Sequence, residues 1–251
     1  MIVRDKPDVW DLLTALRGSI VPRILPAVLL LAAIATAVVA LDHWLGLLPR
    51  LDGSAFTVFG IGLSLFLGFR NNAAYDRWWE ARRLWGGLLA DMRSLARETE
   101  VFVADTPTRH EVLRAALVFL HAHRINLRRL SPGGPGQEPV ADAAHPPCAA
   151  LDRMNALVAG AHRDGRLDGF GARTLTTRLG SMTAQQAGCE RIANSPLPFV
   201  YSLLIYRTTY LYCLLLPLAL TGPTGWMTPV FVAVVAYMFL GLAEVTEELS
   251  H

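Results

Sequence analysis

Few residues in this chain have the types and spacing that chemistry needs. Cys189 and Glu190 come nearest to a reactive pair, yet sequence neighbours on a helix do not face each other. His121 and His123 lie two apart and point to different helix faces, so they lack the i, i+4 spacing that presents two imidazoles to zinc. Cys148, Cys189 and Cys213 are odd in number, widely separated and free of CxxC spacing, which suggests neither a disulfide framework nor a zinc site. There is no G-x-S-x-G elbow, no H-E-x-x-H, no P-loop and no pair of carboxylates within an apolar run. These residues predict no enzyme, no catalytic residue, no metal and no cofactor.

What remains is a pattern of size. In GIGLSLFLGFRNNAAYDRWWEAR, residues 60–82, Ile61, Leu65 and Phe69 recur every four residues, and Gly60, Ser64 and Gly68 form a second stripe beside them. Small residues at that spacing let helices approach closely inside a membrane. The large stripe has two readings. It packs in a bundle core, or several copies of the helix surround an axis and the large residues ring a narrow hydrophobic neck, which can gate by dewetting. Asn71 and Asn72 follow directly and would supply neutral polar groups at a pore mouth or bond a neighbouring helix end. Arg70 and Arg77 fall near a lipid surface, where snorkelling or pairing with Asp76 and Glu80 accounts for them.

The elements that carry these residues follow from composition. Hydrophobic residues make up 53% of the 251, charged residues only 18%, and mean hydropathy is +0.35, which places part of the chain in a bilayer. A net charge of +2 without a basic tract interleaved with aromatics predicts no nucleic acid partner. Four stretches approach the roughly 20 residues a span requires: 24–41, 55–69 if its helix runs on past Arg70, 199–220 and 226–243. The last two are joined by TGPTGWMTP, read as a hairpin turn. The charged start, 1–23, lacks the short apolar core of a removable signal, so the first apolar run is expected to persist.

Arg4, Lys6, Arg17 and Arg23 precede the first span, and Arg70, Arg77, Arg82 and Arg83 follow the second. The short loops between paired spans offer only Arg50. The positive-inside rule then puts both termini and the middle segment in the cytoplasm. The expected organisation is a cytosolic N-terminal segment 1–23, a membrane hairpin 24–69 with a pore helix at 55–69, a helical cytosolic domain 70–198, a second hairpin 199–243 and an acidic cytosolic end 244–251. Within the domain, helical spacing runs through 80–103. Thr108 with Glu111 makes a capping-box pattern before the next helix, further helices are expected near 149–161 and 170–193, and the Pro- and Gly-rich 131–147 reads as a surface loop. Arg207, inside the third span, is expected to pair with Glu190, Glu244 or helix-end carbonyls. Trp78, Trp79 and Trp85 are expected to pack between protomers rather than form an interfacial belt.

FLGFRNNAAYDRWWEARRLWG, together with VWDLLTALRGSIVPRI and GCERIANSPLPFVYSLLIYRTTYLYCLLLPLAL, resembles the bestrophin family of ion channels in its bacterial branch, over about residues 10–249. The resemblance implies an all-α homopentamer around a central pore, with four transmembrane helices per protomer and a helical cytosolic domain, in a bacterial inner membrane. Its partners would be further copies of itself, the lipid bilayer and monovalent inorganic ions. It matches Ile61, Leu65 and Phe69 to a hydrophobic neck and, through GRLDGFGARTL, Phe170 to a cytosolic aperture. It leaves selectivity open, with a lean to cations over anions. In animal members an acidic run after the last span helps to clasp calcium, but Glu244, Glu247 and Glu248 are too few for that and are expected to make contacts between protomers instead. A membrane-anchored scaffold or ligand-binding protein without conduction is the competing reading.

Overall fold

The computed structural model describes residues 10, 15, 18–46, 52–130 and 140–250. The sequence readings for Arg4, Lys6, Arg17, Arg50 and 131–139 lie outside these residues. Among the described residues all regular structure is helical: α1 (Val21–Leu45), α2 (Gly53–Phe102), α3 (Thr106–Leu127), α4 (Pro146–Arg163), α5 (Gly169–Asn194), α6 (Phe199–Thr224), a 3-10 turn (Gly225–Met227) and α7 (Thr228–Ser250). Val21–Leu45, Gly53–Phe102 and the run Phe199–Leu249 are long and apolar enough to cross a membrane. The chain divides into two compact units: Met1–Trp78 with Leu197–His251, and Trp79–Pro196.

α2 is one unbroken helix of 50 residues, about 75 Å at 1.5 Å per residue. No proline occurs in it, so nothing removes a backbone donor along its length. The expected continuation past Arg70 is therefore real, and the helical spacing seen at 80–103 belongs to the same helix.

In the first unit, Ile24, Val28, Leu31 and Ala35 line one face of α1 and pack with Cys213 and Leu216 of α6 and Val232, Ala236 and Leu240 of α7. α1 ends at Gly46, whose φ of 60° lies in the left-handed region and whose N–H donates to the Asp42 carbonyl at 2.8 Å. The turn between α6 and α7 is shorter than TGPTGWMTP suggested. α6 continues through Pro223, and its Thr221 and Thr224 hydroxyls donate to the Pro217 and Leu220 carbonyls at 2.6 and 2.8 Å. The break falls at Gly225, whose φ is 52°.

In the second unit, Leu88 and Leu95 of α2, Val112 and Phe119 of α3, Met154 and Val158 of α4 and Leu175 and Met182 of α5 share one core. Arg178 of α5 reaches α2, donating to Asp91 at 2.8 Å and Glu98 at 2.6 Å. Glu98 and then Asp91 hold its guanidinium pKa above the ordinary value. Asp91 is buried and also accepts from the Ser181 hydroxyl at 2.7 Å. α3 begins three residues before the Thr108 capping box allowed. Asp105 is its N-cap, accepting from the Thr108 N–H at 2.9 Å, and Pro107 lies within the first turn, where its missing donor costs nothing.

Candidate functional site

The stripe of Ile61, Leu65 and Phe69 is presented outward by α2. Leu63, Leu67, Arg70 and Ala74 are buried, none more than 7% exposed, and at 3.6 residues per turn they form one side of the helix. Leu63 and Leu67 pack with Ile205 of α6 and Ala243 of α7. Ile61, Leu65 and Phe69 fall on the opposite side and are 57%, 57% and 70% exposed. Among the described residues they join none of the hydrophobic cores.

Two apolar grooves flank the stripe. One, about 280 Å3, runs between Val58, Phe59, Gly62 and Phe66 of α2 and Leu204 and Thr208 of α6. The other, about 490 Å3, lies between Gly60, Ile61, Ser64 and Leu65 and the side chains of Tyr212, Met238 and Phe239. Gly60 is small because Tyr212 needs the space: a Cβ there would lie 2.7 Å from the Tyr212 hydroxyl. Ser64 hides its polarity by donating to the Gly60 carbonyl at 2.8 Å, while Gly68 faces open space.

At the lower end of the stripe the polar contacts differ from the sequence reading. Arg70 does not snorkel or pair with Asp76 or Glu80. Its side chain is 5% exposed and donates through Nη2 to Glu247 at 2.7 Å and Ser202 at 2.6 Å, because it lies on the buried side of α2. Glu244 pairs with Arg23 at 3.1 Å and accepts from the Tyr206 hydroxyl at 3.1 Å, and Glu248 lies 3.9 Å from Arg23. Within one chain the three C-terminal glutamates thus tie α7 to α1, α2 and α6, while the Glu248 side chain stays 65% exposed. Glu244 is committed to these partners, and Arg207, exposed on α6, does not pair with it. Asn71 accepts from the Thr246 hydroxyl at 3.5 Å, whereas Asn72 is exposed beside the stripe.

Phe170, in the second unit, is 81% exposed on the first turn of α5. Its neighbours fix that position. Asp168 caps the helix, accepting from the Gly171 N–H at 2.6 Å. Gly171 is buried so tightly that a Cβ would meet Phe102 Cβ at 2.7 Å, and Leu167 is buried. With both flanks turned inward, Phe170 projects outward. Arg173, one turn later on the same side, is exposed and has no ion-pair partner among the described residues. Sequence reasoning passed over Arg173, although its spacing from Phe170 was visible.

His121 and His123 separate as expected: the first is exposed and the second fully buried. The His123 ring stacks on Phe119 at 5.8 Å and tilts against Trp85 at 5.6 Å. Its Nδ1 lies 4.0 Å from Glu190, and burial lowers its pKa from the ordinary 6.5. Glu190 itself bonds Gln186 at 2.8 Å and lies 3.4 Å from His145. Cys148, Cys189 and Cys213 are free thiols. Burial pushes the Cys189 thiol up to about 11, so it is a poor nucleophile.

Comparison with known proteins places this arrangement. The sequence model of the Bacterial/Fungal Bestrophin protein family matches residues 1–251. The voltage-dependent anion channel-forming protein mll4386 of Mesorhizobium japonicum is 45% identical over 258 residues, covering 100% of this chain and 84% of that protein. The voltage-dependent anion channel-forming protein YneE of Escherichia coli K12 is 34% identical, covering 100% of this chain and 85% of that protein. A crystal structure of a bacterial Bestrophin homolog from Klebsiella pneumoniae superposes with a TM-score of 0.80 at 31% identity, over 92% of this chain and 88% of that one. Both named relatives are anion channels by name, which runs against the lean to cations. With the family match extending over all 251 residues, the chain belongs to the bestrophin family, in its bacterial and fungal branch.

Proposed function

We propose that the chain is one protomer of a homopentameric, anion-conducting channel. Each protomer contributes four membrane helices: α1, the apolar first part of α2, α6 and α7. Five copies of α2 surround the axis, with Ile61, Leu65 and Phe69 forming the neck, Asn72 at its mouth and Phe170 at a cytosolic aperture. The observation that carries this reading is the exposed stripe: three large apolar side chains, one turn apart, on the face of α2 opposite its buried residues. A ring of such side chains offers an ion no ligands, so the neck acts as a gate that conducts when it widens and holds water, and selectivity arises elsewhere.

For selectivity we favour anions. The relatives' names point that way, arginines outnumber carboxylates between residues 79 and 196, and the exposed Arg173 stands one turn from Phe170. A ring of guanidinium groups beside a narrow aperture raises the local anion concentration. By the positive-inside rule both ends of the chain lie on the cytoplasmic side of a bacterial cell membrane.

Reversal potential in a planar bilayer under a KCl gradient tests this. Reversal near the chloride equilibrium potential is expected; reversal near that of potassium would overturn the anion reading. Phe69→Ala should raise the current, since it removes the bulkiest side chains of the gate. No current from either form of a verified pentamer would overturn the pore.

A further inference from the structure

The pairing of Arg70 leaves most of its donors unused. Only Nη2 makes contacts, to Glu247 and Ser202. Nε and Nη1 are buried without a hydrogen-bond partner. A guanidinium presents five N–H donors, and buried donors left unpaired in this way are rare in native proteins. Arg70 also walls a cavity of about 210 Å3, together with Phe66, Phe69, Ala73, Leu197, Pro198 and Tyr201.

The cavity wall combines one guanidinium with apolar side chains. Pro198 is the N-cap of α6 without a side-chain cap, and although the Tyr201 N–H donates to the Pro198 carbonyl at 3.0 Å, the positive end of the helix dipole adds to the guanidinium and favours an anion. The remaining wall is apolar, with Phe66 and Tyr201 stacked at 6.5 Å. An inorganic anion would answer Arg70 and leave the apolar wall uncovered, and a neutral hydrocarbon would do the reverse. A dry cavity of about 150 Å3 accepts benzene, so this volume suits a short alkyl chain with one carboxylate.

We propose that this cavity binds a small organic carboxylate, its head group accepting from the unpartnered N–H groups of Arg70 and its alkyl body lying against Phe66, Phe69 and Tyr201. Glu247 already balances the Arg70 charge, so affinity rests on hydrogen bonds, the α6 N-terminus and apolar contact. That the site stands directly behind a pore neck rests on the reading of Phe69 given above. Its occupancy does not, so binding is measured without current.

The experiment is isothermal titration calorimetry of the full chain in detergent with hexanoate, and with hexan-1-ol and chloride as the two half-ligands. Hexanoate should saturate at one site per chain, with neither half-ligand matching it. Arg70→Gln should weaken hexanoate at least tenfold. Because that change also breaks the pair with Glu247, Ala73→Phe serves as a second variant: it fills the cavity, keeps the pair and should abolish binding. Equal binding of hexan-1-ol, or hexanoate binding unchanged in Ala73→Phe, would overturn the proposal. Repeating the titration in phosphatidylcholine nanodiscs with and without oleate names the source. Competition by oleate assigns the site to a membrane fatty acid, and its absence assigns it to a free short-chain acid.

Discussion

Phe69 and Arg70 are adjacent in sequence and opposite in fate, one 70% exposed and the other 7%, because successive helical positions turn by about 100°. That rotation assigns Phe69 to the proposed gate and Arg70 to the interior of the protomer. Arg173 carries the residue-scale prediction for selectivity. Arg173→Glu, on an exposed position away from either core, should leave folding intact and move the reversal potential toward that of potassium; an unmoved potential would take the aperture out of selectivity. A stability prediction attaches to Arg178. Arg178→Ala leaves Asp91 buried beside an unpaired Glu98 and should cost about 3–5 kcal/mol, read as a lower midpoint in chemical denaturation. The stripe and its spacing were legible in the sequence. The partners of Arg70, Glu244 and Glu247 were not, since they lie on other helices, and the Arg23–Glu244 and Arg70–Glu247 pairs join residues more than 170 positions apart.

At the scale of elements, α2 connects the proposed gate to the second unit through one uninterrupted helix. A proline at Ala81 would remove a backbone donor in the helix interior and clash with the preceding turn, at a cost of about 3 kcal/mol or more; loss of helical signal or of assembly would register it. The Asp168 cap acts together with buried Leu167 and Gly171 to set the first turn of α5. Asp168→Ala should therefore destabilise by about 1 kcal/mol, measurable as a lowered thermal midpoint. The helices of the second unit were readable within a few residues because their apolar period is regular. The start of α3 was misplaced because Asp105 and Thr108 both suit an N-cap, and the choice went to the residue that puts Pro107 in the first turn.

For the whole molecule, the first consequence is assembly. The exposed apolar stripe and the grooves on either side of it leave a large hydrophobic face on α2, which five copies around an axis would enclose in the proposed assembly. Native mass spectrometry should give a pentamer, and a monomer in mild detergent would remove the shared axis. A second consequence is pH dependence. His123 is buried and its pKa is depressed, so below about pH 6.5 the unfolded chain takes up a proton that the native state resists. Stability contributed by the neutral ring is intact above that pH and falls as the pH drops beneath it. The thermal midpoint should decline between pH 7 and 5.5, and His123→Phe, which keeps the stack on Phe119, should flatten that decline.

The sequence by itself determined the helical class, the apolar runs and the phase of the stripe on α2, because each is a local consequence of hydropathy and a 3.6-residue period. The quoted motifs were enough to mark the family. Only the tertiary structure decided which side of α2 is interior, that the C-terminal glutamates reach α1, α2 and α6 of their own chain, and that Arg70 is buried with donors to spare. These depend on which helices meet, and pairing between distant segments leaves no period in a single sequence to read.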